Sequence, residues 1–171
     1  EKPDHPVQRA CLEAFERVTG TTSPGFGIDG CSVPNFATSL HGMARAMAHF
    51  AAAPDGSAEA RLHQAMRLHP DLVAGETRAC TNLMRATNGK VALKTGAEGF
   101  FIAILPDQKI GVALKAACGT KRAAECAITS ILIKLGALDP NHPEALKYRN
   151  APIENRRGII TGMLKPAAGF A

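Results

Sequence analysis

The sequence predicts an α+β fold, with helices packed on a small antiparallel sheet. Two shifts in patterning predict it. Up to residue 87, apolar side chains recur at helical spacing in four stretches, whereas between 91 and 115 they form three short runs divided by turn residues. One more helical stretch, 122–135, follows the runs. Helices segregated from a block of antiparallel strands define the α+β class.

The elements follow in order. Val7, Ala10, Cys11, Ala14, Phe15 and Val18 lie on one helical face, opposite Gln8, Arg9, Glu13, Glu16 and Arg17, and Gly20 ends the helix. Residues 20–36 are rich in Gly, Pro, Ser and Thr and carry a short extended piece, Phe26-Gly27-Ile28. Leu40, Met43, Ala44, Met47 and Phe50 mark a second helix, closed by Pro54-Asp55-Gly56. Ala58, Leu62, Ala65 and Met66 mark a third, ending before Pro70, and a weaker fourth covers 77–87 up to Asn88-Gly89.

The runs 91–94, 100–105 and 110–115 read as strands, with Pro106-Asp107-Gln108 as a short connection between the last two. The middle run has no polar alternation, which predicts burial on both faces. A three-stranded sheet buried on both faces calls for a further partner element. The last helix repeats Ala124, Ala127, Ile128, Ile131, Leu132 and Leu135 and ends at Gly136. From Asp139 onward five Pro or Gly residues precede residue 166, so the tail is expected to wrap over the surface.

With 171 residues the chain holds about one domain, and its 46% apolar content supports a globular core. Aromatic residues make up only 5%, without Trp and with Tyr148 as the single Tyr, which argues against a stacking platform for nucleic acid. The formal charge of +5 is spread along the chain, and its densest basic stretch, 147–165, reads as a solvated face. The five cysteines are odd in number and form no Cys-x-x-Cys, so a reducing, cytoplasmic location is expected. No segment reaches the ~18 apolar residues of a membrane span. The first residues lack the apolar stretch of a signal peptide and an initiating Met; the expectation is a chain that begins inside a larger protein.

Chemistry is concentrated in two places. The first is Lys94-Thr95-Gly96, which puts an ammonium and a hydroxyl at a strand end beside backbone left bare by Gly96 and Gly99. A partly desolvated lysine there shuttles protons or anchors a carboxylate, and the plainer alternative is a lysine reaching to solvent. Lys-Thr-Gly is one of three pieces of the site in penicillin-recognising serine hydrolases. The other two, Ser-x-x-Lys and Ser-Asp-Asn, do not occur in the sequence; Lys134 follows Ser130 one residue too late, within a helical repeat.

The second place is Gly27-Ile28-Asp29-Gly30-Cys31, running on to Pro34-Asn35-Phe36, where glycines around Asp29 and Cys31 suggest a turn that aims side chains at a cleft. From its own surroundings Cys31 is open to three roles: metal ligand, nucleophile with His41 as the nearest histidine in sequence, or small apolar residue. Cys80, Cys118 and Cys126 read as core residues. The six histidines form no His-x-x-x-His, and no Gly-x-Gly-x-x-Gly or Walker sequence is present.

These residues resemble the C-terminal half of the class 3, rhizobial-type L-asparaginases, the thermolabile asparaginase II family. The resemblance rests on His5-Pro6-Val7-Gln8, on the turn from Gly27 to Phe36, on Val73-Ala74-Gly75-Glu76-Thr77-Arg78 and on Lys94-Thr95-Gly96-Ala97-Glu98-Gly99. It implies a serine β-lactamase or glutaminase-like fold, with residues 1–171 as a single domain or as the C-terminal half of a larger one. It also implies hydrolysis of L-asparagine to aspartate and ammonia, and a homodimer.

By carry-over, Lys94 with Thr95 moves protons around a serine nucleophile. Asp29, Gly30, Asn35 and Gly96 contribute to the substrate pocket, and Cys31 helps to bind a zinc ion near it. The nucleophilic Ser-x-x-Lys, a second serine and two further zinc ligands belong to a region upstream of the one matched, so the N-terminal half of the same protein is the expected partner. Ser32 stands where the family pattern has Gly. The alternative reading is a non-catalytic module of the same fold that binds a small molecule or zinc.

Overall fold

The structure, a computed structural model, describes residues 2–170. Glu1 and Ala171, the outermost residues of the expected 1–171 unit, lie outside them. Helix α1 (Pro6–Thr19) starts at His5, whose Nδ1 accepts the Val7 N–H, and stops at Gly20, whose left-handed φ of 66° lets its N–H close on the Glu16 carbonyl. A hairpin of β1 (Phe26–Ile28) and β2 (Pro34–Phe36) follows. Its second strand, hidden in the sequence by Pro34, is seated on α1 through a Phe15–Phe36 contact at 6.1 Å.

Helices α2 (Leu40–Ala51) and α3 (Ala58–Leu68) are capped by Ser39 and Ser57, each accepting the N–H three residues on. A short α4 (Pro70–Ala74) opens at Pro70, the residue at which the sequence pattern ends the third helix. Helix α5 (Ala79–Ala86) follows, shorter than the expected 77–87 because Thr77 takes a left-handed φ of 64°.

The central sheet is antiparallel, in the order β3-β4-β5, with β3 (Ala92–Gly96), β4 (Phe100–Leu105) and β5 (Ile110–Lys115). Helix α6 (Lys121–Lys134) and helix α7 (Pro143–Arg149) complete the body. The strand pleat divides the apolar residues between two layers. Leu93, Phe101, Ala103, Leu105 and Leu114 face α5, α6 and α7, packing on Leu83, Met84, Ile128 and Leu132. Ala92 and Ile104 face the other way, onto Ala51, Met47 and Phe50 of α2 and Met66 of α3. Strand β4 is thus buried on both faces at its C-terminal end, as its pattern predicts, while Phe100 and Ile102 at the other end are only half-buried.

Two expectations are corrected. The tail does not merely wrap the surface: Pro143 begins α7, with His142 Nδ1 accepting the Glu144 N–H, and β6 (Ala151–Glu154) pairs with β7 (Ile160–Leu164). The prolines that read as breakers sit at a helix start and in a hairpin strand, where a missing N–H is tolerated. Cys118 is not a core residue but exposed, in the loop before α6. Cys80 and Cys126 are buried, and all five cysteines are free.

Candidate active-site strand and hairpin

Strand β3 carries Lys94-Thr95-Gly96 out of the core. Ala92 and Leu93 are fully buried, Lys94 and Gly96 are exposed, and Thr95 lies between. By the pleat, Lys94 shares the α2 and α3 side of the sheet with Ala92 and with its cross-strand partner Ile102. Thr95 points to the opposite side, with Leu93 and Phe101.

Hydrogen bonds converge on Thr95. The Lys94 ammonium donates to the Thr95 carbonyl at 2.8 Å, and the Thr95 N–H donates to Cys80 Sγ at 3.2 Å. The Thr95 hydroxyl donates to the Phe100 carbonyl at 3.2 Å and to that of Gly96 at 3.3 Å, across the turn between the strands. Gly96 pairs with Phe100, and a Cβ at Gly96 would sit 2.8 Å from Phe100 Cδ1. The turn needs left-handed backbone at Glu98 and Gly99. At Gly99 a side chain would also meet Gly119 backbone and the Ala116 Cβ at 3.0 Å. The Lys115 ammonium closes over this turn, donating to the Glu98 carbonyl with the Glu98 carboxylate 3.9 Å away.

The β1–β2 hairpin builds the second candidate region. Asp29 N–H donates to the Val33 carbonyl at 3.0 Å, Ser32 N–H to the Asp29 carbonyl at 2.8 Å, and Gly30 N–H to Asp29 Oδ1 at 2.7 Å. This Asx-type turn leaves Asp29 Oδ2 facing Cys31 Sγ at 3.9 Å. Ser32 is held at a φ of 68°, the left-handed conformation glycine adopts most easily. Asp29, Gly30, Cys31 and Asn35 are all exposed.

The hairpin's root, not its tip, lines a pocket together with the sheet. Phe36, at the end of β2, shares an open pocket of about 320 Å³ with Leu40, Met43, Phe100 and Lys115. Its floor, Phe100, is the cross-strand partner of Gly96. No hydrogen bond or ion pair among the described residues joins Asp29, Cys31 or Asn35 to Lys94 or Thr95.

The donors for zinc are few: among the described residues no group of three or more His, Cys, Asp or Glu side chains is placed to hold a metal ion. Cys31 and Asp29 supply two donors where a closed tetrahedral site needs four, so these residues alone do not fit the ion.

Three contributors escaped the sequence pattern. Cys80 is as buried as a core residue should be, at 1% exposure, yet its sulfur receives the Thr95 N–H. Phe100, the cross-strand partner of Gly96, and Lys115 line the pocket at Phe36 but lie in runs that read as plain strands. Nothing in local periodicity signals any of these three, because each acts across the sheet or between helix and strand.

Lys94 is thus exposed on an edge strand of the sheet, one residue from Thr95 and two from Gly96. The chain matches the family model for L-asparaginase II over residues 1–166 and belongs to that family. No curated protein matches it. No helix among the described residues is long and apolar enough to cross a membrane.

Proposed function

We propose that this protein takes part in the hydrolysis of L-asparagine to aspartate and ammonia, supplying the Lys-Thr-Gly strand to a serine nucleophile carried outside these 171 residues. The observation that carries the reading is the exposed Lys94 on the edge strand of a family member whose sequence contains no Ser-x-x-Lys. In the proposed reaction the serine oxygen attacks the side-chain amide carbon of asparagine, the C–N bond breaks and ammonia departs. Water then attacks the acyl ester, releasing aspartate and restoring the serine.

Lys94 holds or returns the proton that moves between serine and leaving nitrogen, and Thr95 orients its ammonium. Asp29, Gly30, Asn35 and Gly96 border the substrate, an assignment that requires the hairpin tip and β3 to face one cleft once the serine-bearing half is in place. Cys31 is proposed as part of a zinc site completed by donors from that same half, and no step of the reaction is routed through the metal. A homodimer and a cytoplasmic location complete the proposal.

The test is ammonia release from L-asparagine by the 171-residue chain alone and after mixing with a polypeptide that carries Ser-x-x-Lys from the same family. The chain alone is expected to release none, and the mixture to turn over. Ammonia release by the chain alone, unaffected by Lys94→Ala, would overturn the proposal. The missing Ser-x-x-Lys also favours a second reading, a binding module without turnover. Calorimetric binding of L-asparagine to the chain, with no turnover by the mixture, would select it.

A further inference from the structure

We infer that Cys80 is a positioning residue, whose buried thiol holds the outer edge of the Lys-Thr-Gly strand and thereby sets the seat of Lys94. Among the described residues strand β3 pairs with β4 alone, so every second residue of β3 turns its N–H and C=O away from the sheet, toward no described strand. Thr95 is such a residue. Its N–H reaches Cys80 Sγ at 3.2 Å, and its carbonyl, on the same outer side, receives the Lys94 ammonium at 2.8 Å. The two bonds share one residue: whatever fixes the Thr95 backbone also fixes the carbonyl on which the lysine rests.

The thiol is well placed for this. Cys80 is the second residue of α5 and is 1% exposed. The next residue, Thr81, ties the helix start down through its hydroxyl, which donates to the Pro70 carbonyl at 3.1 Å and the Gly75 carbonyl at 2.6 Å. Burial pushes the Cys80 thiol pKa up, against the opposing pull of the Thr95 N–H and the Lys94 charge. The sulfur therefore meets the strand as a neutral acceptor. An aliphatic residue there would fill the same space and leave the edge N–H without a partner.

The inference relies on the proposed function only for its catalytic consequence, and the experiment separates the two. Amide hydrogen exchange of Thr95 is read against Ala103 of the central strand in the unmodified chain, in Cys80→Val and in Cys80→Ser. Thr95 is expected to be protected in the unmodified chain. It should exchange at least about fivefold faster in Cys80→Val, with Ala103 unchanged, and regain protection in Cys80→Ser, which restores an acceptor. An unprotected Thr95 amide in the unmodified chain would overturn the inference without any variant. Equal Thr95 exchange in Cys80→Val and Cys80→Ser would also overturn it, reducing Cys80 to a space-filler.

In the asparagine-hydrolysing mixture, Cys80→Val should lower kcat by about tenfold or more with little change in KM, and Cys80→Ser should recover it. If the unmodified mixture releases no ammonia, the functional reading fails, while the exchange data still decide whether Cys80 anchors the strand.

Discussion

Ser32 and His63 show how single residues register the constraints of this fold. Ser32 sits at φ 68° in the Asp29–Val33 turn, a conformation that costs a residue with a Cβ about 1–2 kcal/mol, partly offset by the greater chain entropy that glycine loses on folding. Ser32→Gly is accordingly expected to stabilise the chain by about 0.5–1 kcal/mol, measured by urea unfolding. His63 is 5% exposed on α3, and its buried Nδ1 has no hydrogen-bond partner among the described residues. Burial, reinforced by the Arg67 charge and opposed by Asp55, holds its pKa below the ordinary 6.5. The native state therefore prefers the neutral ring, and the unfolded chain takes up the proton first as pH falls. His63 leaves stability untouched above about pH 6.5. Below that it subtracts up to about 1.4 kcal/mol per pH unit until its folded pKa is passed. His63→Met should remove this part of the acid slope in denaturation curves recorded from pH 4 to 8.

Among the elements, α2 and the sheet depend on one close approach. A Cβ at Gly111 of β5 would lie 2.0 Å from the Ala48 nitrogen and 2.3 Å from the Ala44 carbonyl oxygen, both helix backbone that cannot move without shifting α2. Gly111→Ala is expected to cost about 3 kcal/mol or more, read as a lowered denaturation midpoint with unchanged slope. That contact was invisible in the sequence, where Gly111 is one polar-neutral position in an apolar run. By contrast α1, α2, α3, β4, β5 and α6 were legible almost to the residue, because each repeats apolar side chains over two or more turns or a full strand. The elements that were not read are short: β2 begins with a proline, α4 spans five residues, α7 starts at Pro143, and β6 and β7 hold four and five residues. In such lengths capping and tertiary packing outweigh periodicity.

Taken whole, the molecule divides into a packed body and an outlying hairpin. Strands β6 and β7 pair with each other, but Ile160 and Met163 stay exposed and neither strand belongs to a core cluster. Removing residues 151–171 should shift the melting temperature by less than about 4 °C, equivalent to about 1 kcal/mol in a chain of this size. The candidate site was legible to a similar degree. Lys94-Thr95-Gly96 stood out as a contiguous signature, and the structure puts it on an exposed strand edge. The approach of Phe36 to Phe100, and of Cys80 to Thr95, joins residues far apart in the chain and had no local signal.

The central claim is that Lys94 handles protons in asparagine hydrolysis, and one rate tests it most directly. Lys94→Ala, checked for an unchanged fold by circular dichroism and assayed for ammonia release together with the serine-bearing half, is expected to lose about 10²-fold or more in kcat. Turnover equal to that of the unmodified protein would contradict the account and leave Lys94 as a solvated strand-end residue.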